Sequence, residues 1–319
     1  MIGANLGLLF TAFAWATQIA AFNILFENWD PYFLAPLRYA WSVPVLLLIL
    51  KLSERGPLLP KPVSWTRLWL LGAFGIGFFS PVFVQGLNHS NPVTAAIFAS
   101  AAPAVAAIVE RIFFKTPIDR YMIPAILLAV VGCTLATYDP AKAGEPFDLH
   151  GGEFLLVIAA GMWAWYSVAA QRWLAGWSQL RISAVTLVPG TLVAIAVYIV
   201  AGLLGLADLS PNPARSLTDI GLHAWVTLAC VSAGFVFWNN GVRVLGVVVA
   251  SLFLNLVPVF ALATLALLGH PPTWMQLAGG ALVVAGLAQA QLRQLNLRRI
   301  AATAPVAAPV EALAQPFIR

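Results

Sequence analysis

Four residues near the start of the chain, Thr11, Trp15, Gln18 and Phe22, recur at intervals of three and four, so a helix sets them in one stripe. A second stripe, Ala159, Trp163, Tyr166 and Ala170, carries similar groups. Neither set holds a nucleophile beside a base or a pair of carboxylates. The chemistry they offer is recognition rather than bond-making: flat rings for stacking, with indole, phenol and amide groups to orient a neutral solute. Deep in an apolar run those polar atoms need partners, which a wet cavity or a neighbouring helix supplies. Ordinary helix packing is the competing reading.

Other residues extend the set. Phe78, Val82 and Gln85 share a helix face, with Phe79 and Phe83 beside it, and a later run ends in Trp238, Asn239 and Asn240. The asparagine pair reads as solute or gate contacts, or as a cap for the last turn. Ser100 and Asn255 each stand three residues before a proline, Pro103 and Pro258. Proline frees the carbonyl four residues earlier, here Ala99 and Leu254. A polar side chain beside a free carbonyl can hold an amino group or an ion, or it can simply lock two helices together. Arg38 is the one basic residue well inside an apolar run. It reads either as a dock for a carboxylate or as a snorkelling or structurally paired cation. Glu110, near a run's end, can snorkel likewise.

No run holds a central Asp or Glu. His89, His150, His223 and His270 fall at run ends or in connections, and His89, in a bend, is the best placed for a gate or proton role against the plainer reading of a solvated loop histidine. Cys133 and Cys230 lie mid-run without metal-ligand spacing, so no metal and no cofactor is expected.

The elements that position these groups follow from composition. Of 319 residues, 61% are hydrophobic and 9% charged, against about 25% charged in soluble domains. A bilayer is the solvent that suits such a surface. The net charge of +5 then speaks of membrane orientation rather than nucleic-acid binding. Ten runs approach the ~20 apolar residues of a membrane span: 3–25, 33–50, 68–87, 93–113, 121–138, 152–173, 182–206, 217–242, 247–268 and 274–292. The first is read as a retained span, not a cleaved signal. Residues 293–319 are expected to be a flexible cytoplasmic tail.

Loop charges set the topology. With the N-terminus inside, the inner loops and tail hold fourteen Lys and Arg residues and the outer loops two, Lys142 and Arg215. The positive-inside rule places both termini in the cytoplasm. The sequence also repeats. Shifted by 155, Gly86, Ala95, Phe98 and Pro103 fall on Gly241, Ala250, Phe253 and Pro258. Ala12–Ala16 resembles 160–164 around Trp15 and Trp163, and 130–132 resembles 284–286. Five spans per half, at 1–140 and 150–292, force the second half to enter from the opposite side, the inverted-repeat plan of many secondary transporters.

These hairpins and duplicated halves resemble the drug/metabolite transporter superfamily in its EamA branch of ten-span carriers, over about residues 3–292. More narrowly the chain is similar to the YddG-type exporters of aromatic amino acids. The resemblance implies an all-α integral membrane protein of two inverted five-helix repeats. It implies export of aromatic and other neutral amino acids across a bacterial inner membrane, with the lipid bilayer and a small solute as partners and a monomer as the unit. Another neutral metabolite (a nucleobase, sugar or vitamin) is the alternative solute. An intramembrane enzyme would need clustered acid–base or nucleophilic residues, which the spans lack; a receptor or scaffold has no clear use for kinked inverted hairpins. The expected solute site is Trp15, Gln18, Phe78, Phe79, Phe83, Ser100, Trp163, Tyr166, Trp238, Asn239 and Asn255. The expected gates are Gln85, Gly86, His89, Pro92 and Pro103 in one half and Asn240, Gly241 and Pro258 in the other, with the glycines serving as backbone hinges. Lacking an intramembrane carboxylate, transport is expected to run downhill, as facilitated diffusion or exchange.

Overall fold

Polar residues at the loop ends start the helices and the apolar runs set their length. Asp30 accepts the backbone N–H groups of Tyr32 and Phe33, Ser64 accepts that of Arg67, and Ser178 that of Arg181. Ser216 and Asp219 form a reciprocal capping box. The computed structural model describes residues 1–27, 29–60, 64–90, 100–137, 151–209, 216–267 and 272–303. Among these the regular elements are all helical. In chain order they are α1 (Ile2–Leu25), α2 (Pro31–Ser53), α3 (Trp65–Asn88), α4 (Ala102–Phe114), α5 (Arg120–Ala136), α6 (Gly152–Trp173), α7 (Gln179–Leu203), α8 (Leu217–Leu245), α9 (Val247–Leu254 with Val257–Leu267) and α10 (Trp274–Thr303). Each of the ten expected runs matches one of them over its described residues; residues 93–99 of the fourth run lie outside the described residues. Helix α10 continues to Thr303, so the first residues of the expected tail, 293–303, are helical instead.

Two helices carry a π-helical stretch, Ala73–Phe78 in α3 and Val226–Ala233 in α8. A shift of 155 carries 73–78 onto 228–233, inside the second stretch. A π turn widens the helix by one residue and takes carbonyls out of the regular ladder, so other donors must satisfy them. In α8 they do: Trp15 Nε1 donates to the Cys230 carbonyl at 2.9 Å, and the hydroxyls of Ser42 and Ser232 donate to that of Thr227.

Helix α4 starts after a turn at Ala101, and α9 is interrupted at 255–256, again positions 155 apart. Pro103 and Pro258 each sit in the first turn of the segment that follows, where a missing N–H costs nothing.

Spans 5 and 10 meet through glycine. A Cβ on Gly132 would lie 2.7 Å from the Gly279 carbonyl oxygen, one on Gly279 2.3 Å from the Ala136 nitrogen, and one on Gly286 2.7 Å from the Ala125 carbonyl oxygen. The two backbones are in direct contact, as small residues allow in membrane helices. Gly132 and Gly286 are the glycines matched between the halves in the sequence.

Gly86 and Gly241 lie within helices, and their lack of a side chain serves close approach. A Cβ on Gly86 would lie 2.9 Å from Leu156, and one on Gly241 2.5 Å from Leu8. The real backbone bend is Gly246, at φ 82°, ψ 159°, because α8 runs straight through Arg243 to Leu245. Pro92, together with Asn91, Ala95, Ala96 and Phe98, lies outside the described residues.

Candidate functional site

The centre of the bundle is an aromatic cluster gathered around Trp163 on α6. Its ring centroid lies 5.6 Å from Trp15 on α1, 5.3 Å from Phe79 on α3, 5.4 Å from Tyr166, and 5.1 and 5.7 Å from Phe235 and Trp238 on α8. Trp15 and Trp238 are themselves 5.5 Å apart, and Phe79 stacks on Phe83 at 5.6 Å. The helical stripe through Trp15 and the matching stripe through Trp163 thus converge, each carried by the first helix of its half.

The polar atoms of this cluster are spent unevenly. Trp238 is fully buried and donates from Nε1 to Ser167 Oγ at 2.8 Å. The Tyr166 hydroxyl meets Thr186 Oγ1 at 2.9 Å, and Trp15 serves the π turn of α8. Trp163 Nε1 is buried and has no partner among the described residues. Gln18, 8% exposed and one turn beyond Trp15, makes no side-chain hydrogen bond among the described residues. A buried indole N–H left unmatched costs on the order of 1–3 kcal/mol. Trp163 and Gln18 therefore offer a donor and an amide that a solute in the ring cluster can satisfy.

Other expected residues fall elsewhere. Phe78 is 47% exposed and lies outside the cluster, whereas its neighbour Phe79 and Phe83, one turn on, belong to it. Asn239 is fully buried beside the cluster; its Nδ2 donates to Ser183 Oγ on α7 at 2.9 Å while its Oδ1, like Trp163 Nε1, has no partner among the described residues, and Asn240 accepts from Arg243. Asn239 is thus neither a helix cap nor a headgroup contact. Gln85 uses its backbone carbonyl to receive the exposed His89, whose own carbonyl accepts the Gly152 N–H. Asn255, 2% exposed, donates from Nδ2 to the Ser100 carbonyl at 3.2 Å. These two residues are repeat mates, so the bond ties the break before α4 to the break within α9, the locking arrangement weighed for them above. Asn255→Ala removes this bond and should destabilise the protein by about 0.5–1.5 kcal/mol, seen as a lower unfolding temperature. A variant as stable as the parent in a detergent melt would show that the lock carries no load.

Phe235, Ser167, Thr186 and Ser183 belong to the site and were missed from sequence. Phe235 was within reach, since it precedes Trp238 by three residues and shares its face. The hydroxyls gave no signal, because each serves a ring or amide on another helix.

Comparison with known proteins supplies the deciding observation. A family model described as the EamA-like transporter family matches residues 2–138 and again 150–290. The chain belongs to this family. Among EamA-like relatives, the uncharacterized transporter YyaM of Bacillus subtilis is 27% identical over 87% of this chain and 90% of its own. A protein of Streptantibioticus cattleyicolor named a probable terminal-alkyne amino-acid exporter is 25% identical over 93% of this chain and 96% of its own. A solved crystal structure shares the fold with a TM-score of 0.72 at 18% identity, covering 92% of this chain and 98% of that one. The protein is thus an EamA-family membrane transporter, and the ring cluster sits at the meeting of its two matched segments.

Proposed function

We propose that the protein exports neutral amino acids, aromatic ones among them, by alternating access across a bacterial inner membrane, with both termini in the cytoplasm. The observation that carries this reading is the unpaired Trp163 Nε1 inside a box of rings. Flat or apolar side chains gain dispersion and stacking there, while the free donor and the Gln18 amide select solutes with polar atoms. The amino-acid class is supported by the name of one relative, and the orientation by the fourteen-to-two charge bias. Spans 3–4 and 8–9, with paired π turns and paired breaks, are the elements that tilt to open one side or the other.

The test is flux into liposomes. Labelled phenylalanine and leucine should equilibrate across the vesicle, with competition by aromatic amino acids and none by uracil. With equal solute on both sides, a pH or sodium gradient should produce no accumulation. Competition by uracil but not by amino acids would replace the solute class, since the same rings suit a flat nucleobase. Cysteines placed at positions 61 and 91 should label from inside and outside respectively; the reverse labelling would overturn the topology.

A further inference from the structure

Arg38 is the most unusual charge in the molecule. It lies on α2, is 3% exposed, and stands one residue from Tyr39, which is 1% exposed. Its Nη2 donates to two neutral hydroxyls, Tyr39 Oη and Ser80 Oγ, each at 3.1 Å. The guanidinium carbon lies 5.2 Å from the centre of the Phe22 ring and 4.7 Å from that of Tyr39. Its Nε is buried without any partner. Among the described residues no carboxylate pairs with it. Two acids at this end of the bundle are engaged elsewhere, Asp30 with the N–H groups of Tyr32, Phe33 and Asp208, and Asp219 in the capping box with Ser216. This settles the choice between snorkelling and burial in favour of burial.

A buried cation without a counter-charge is costly: the desolvation penalty is several kcal/mol, and rings and hydroxyls compensate only part of it. Two neighbours are also short of partners. Trp29, 8% exposed, has an unpartnered Nε1 and stacks on His223 at 5.5 Å, whose Nδ1 is likewise buried and unpartnered. Trp29 and Phe22 share one buried cluster. His223 in turn meets Thr227, whose carbonyl binds Ser42, one turn beyond Arg38. The unfilled cation therefore adjoins unfilled donors along one seam of α1, α2 and α8.

We propose that Arg38 is the dock for the solute's carboxylate. The dock and the ring cluster share neighbours: Tyr39, bonded to Arg38, lies 6.2 Å from Phe235, which is itself 5.1 Å from Trp163, and Ser80, also bonded to Arg38, is the residue after Phe79 of the cluster. An amino acid thus has its side chain among the tryptophans and its carboxylate on the guanidinium, which presents planar N–H donors suited to it. The proposal rests on the reading of the solute as an amino acid and names the group that the protein recognises.

The experiment uses the full chain in liposomes with labelled phenylalanine, competed by unlabelled phenylalanine, by 3-phenylpropionate and by phenylalanine methyl ester. Carboxylate-bearing competitors should outdo the ester by at least about tenfold, the scale of a charge-assisted hydrogen bond. Arg38→Gln should erase that preference and Arg38→Lys should keep part of it. Should Arg38→Gln fail to fold, thermal stabilisation of the unaltered protein in detergent decides: phenylalanine should raise the melting temperature and its methyl ester should not. Equal action of acid and ester, or a preference that survives in Arg38→Gln, overturns the dock while leaving amino-acid transport standing. Absence of any amino-acid uptake overturns the underlying reading instead.

Discussion

Replacing Trp163 with phenylalanine should reduce flux about tenfold and leave the unfolding temperature close to that of the parent. The indole Nε1 has no protein partner to strand, so removing it abandons no internal hydrogen bond. Phenylalanine still fills most of the space between Trp15, Phe79, Phe235 and Trp238. What is lost is the bond to the solute, and a bond worth about 1.5 kcal/mol or more is tenfold in rate or affinity. Trp163→Ala is a poorer probe than its sequence position suggests. The ring is 6% exposed and packed on all sides, and Trp→Ala at such a site costs about 3–5 kcal/mol in cavity and transfer terms. It should lose stability and transport together. If Trp163→Phe transports at the parental rate, the unpaired indole is no part of the solute site.

Gly279→Leu should abolish the folded protein. A Cβ at this position falls 2.3 Å from the Ala136 nitrogen and 2.6 Å from the Gly132 carbonyl oxygen. Both obstacles are backbone, so no rotamer change relieves them, and α5 and α10 must separate. Overpacking a tight interface costs about 1–3 kcal/mol where side chains can yield and more where they cannot. Membrane-extracted Gly279→Leu should elute as aggregate in size-exclusion chromatography, whereas Gly280→Leu, whose Cβ has 3.7 Å to its nearest neighbour, should elute like the parent. A well-folded Gly279→Leu would mean that spans 5 and 10 do not touch as described.

The helices were legible because an apolar run of sufficient length has one stable form in lipid. The convergence of Trp15 and Trp163 was legible too, because each sits in a matched position of a duplicated half. Phe78 stands apart from the ring cluster that Phe79 and Phe83 join, and nothing in the composition of 73–78 announces the π stretch that precedes them. Gly86 and Gly241 were read for backbone freedom, whereas the partners they make room for, Leu156 and Leu8, are remote in sequence. The isolation of Arg38 was invisible for the same reason. A sequence shows that a charge is embedded, but only packing shows that none of the described acids comes to meet it.

The unequal treatment of the two matched tryptophans has an energetic consequence. Trp15 holds the Cys230 carbonyl in the π turn of α8. The position matched to Cys230 in α3 is Gly75, and Trp163, the mate of Trp15, makes no such bond. In an inverted-repeat carrier the halves exchange roles between the two access states. A perfectly symmetric pair would make those states isoenergetic when empty. On the alternating-access reading proposed above, this unmatched hydrogen bond contributes about 0.5–1.5 kcal/mol to the difference between the two empty states. That amounts to an approximately two- to tenfold bias in the resting population toward one side of the membrane.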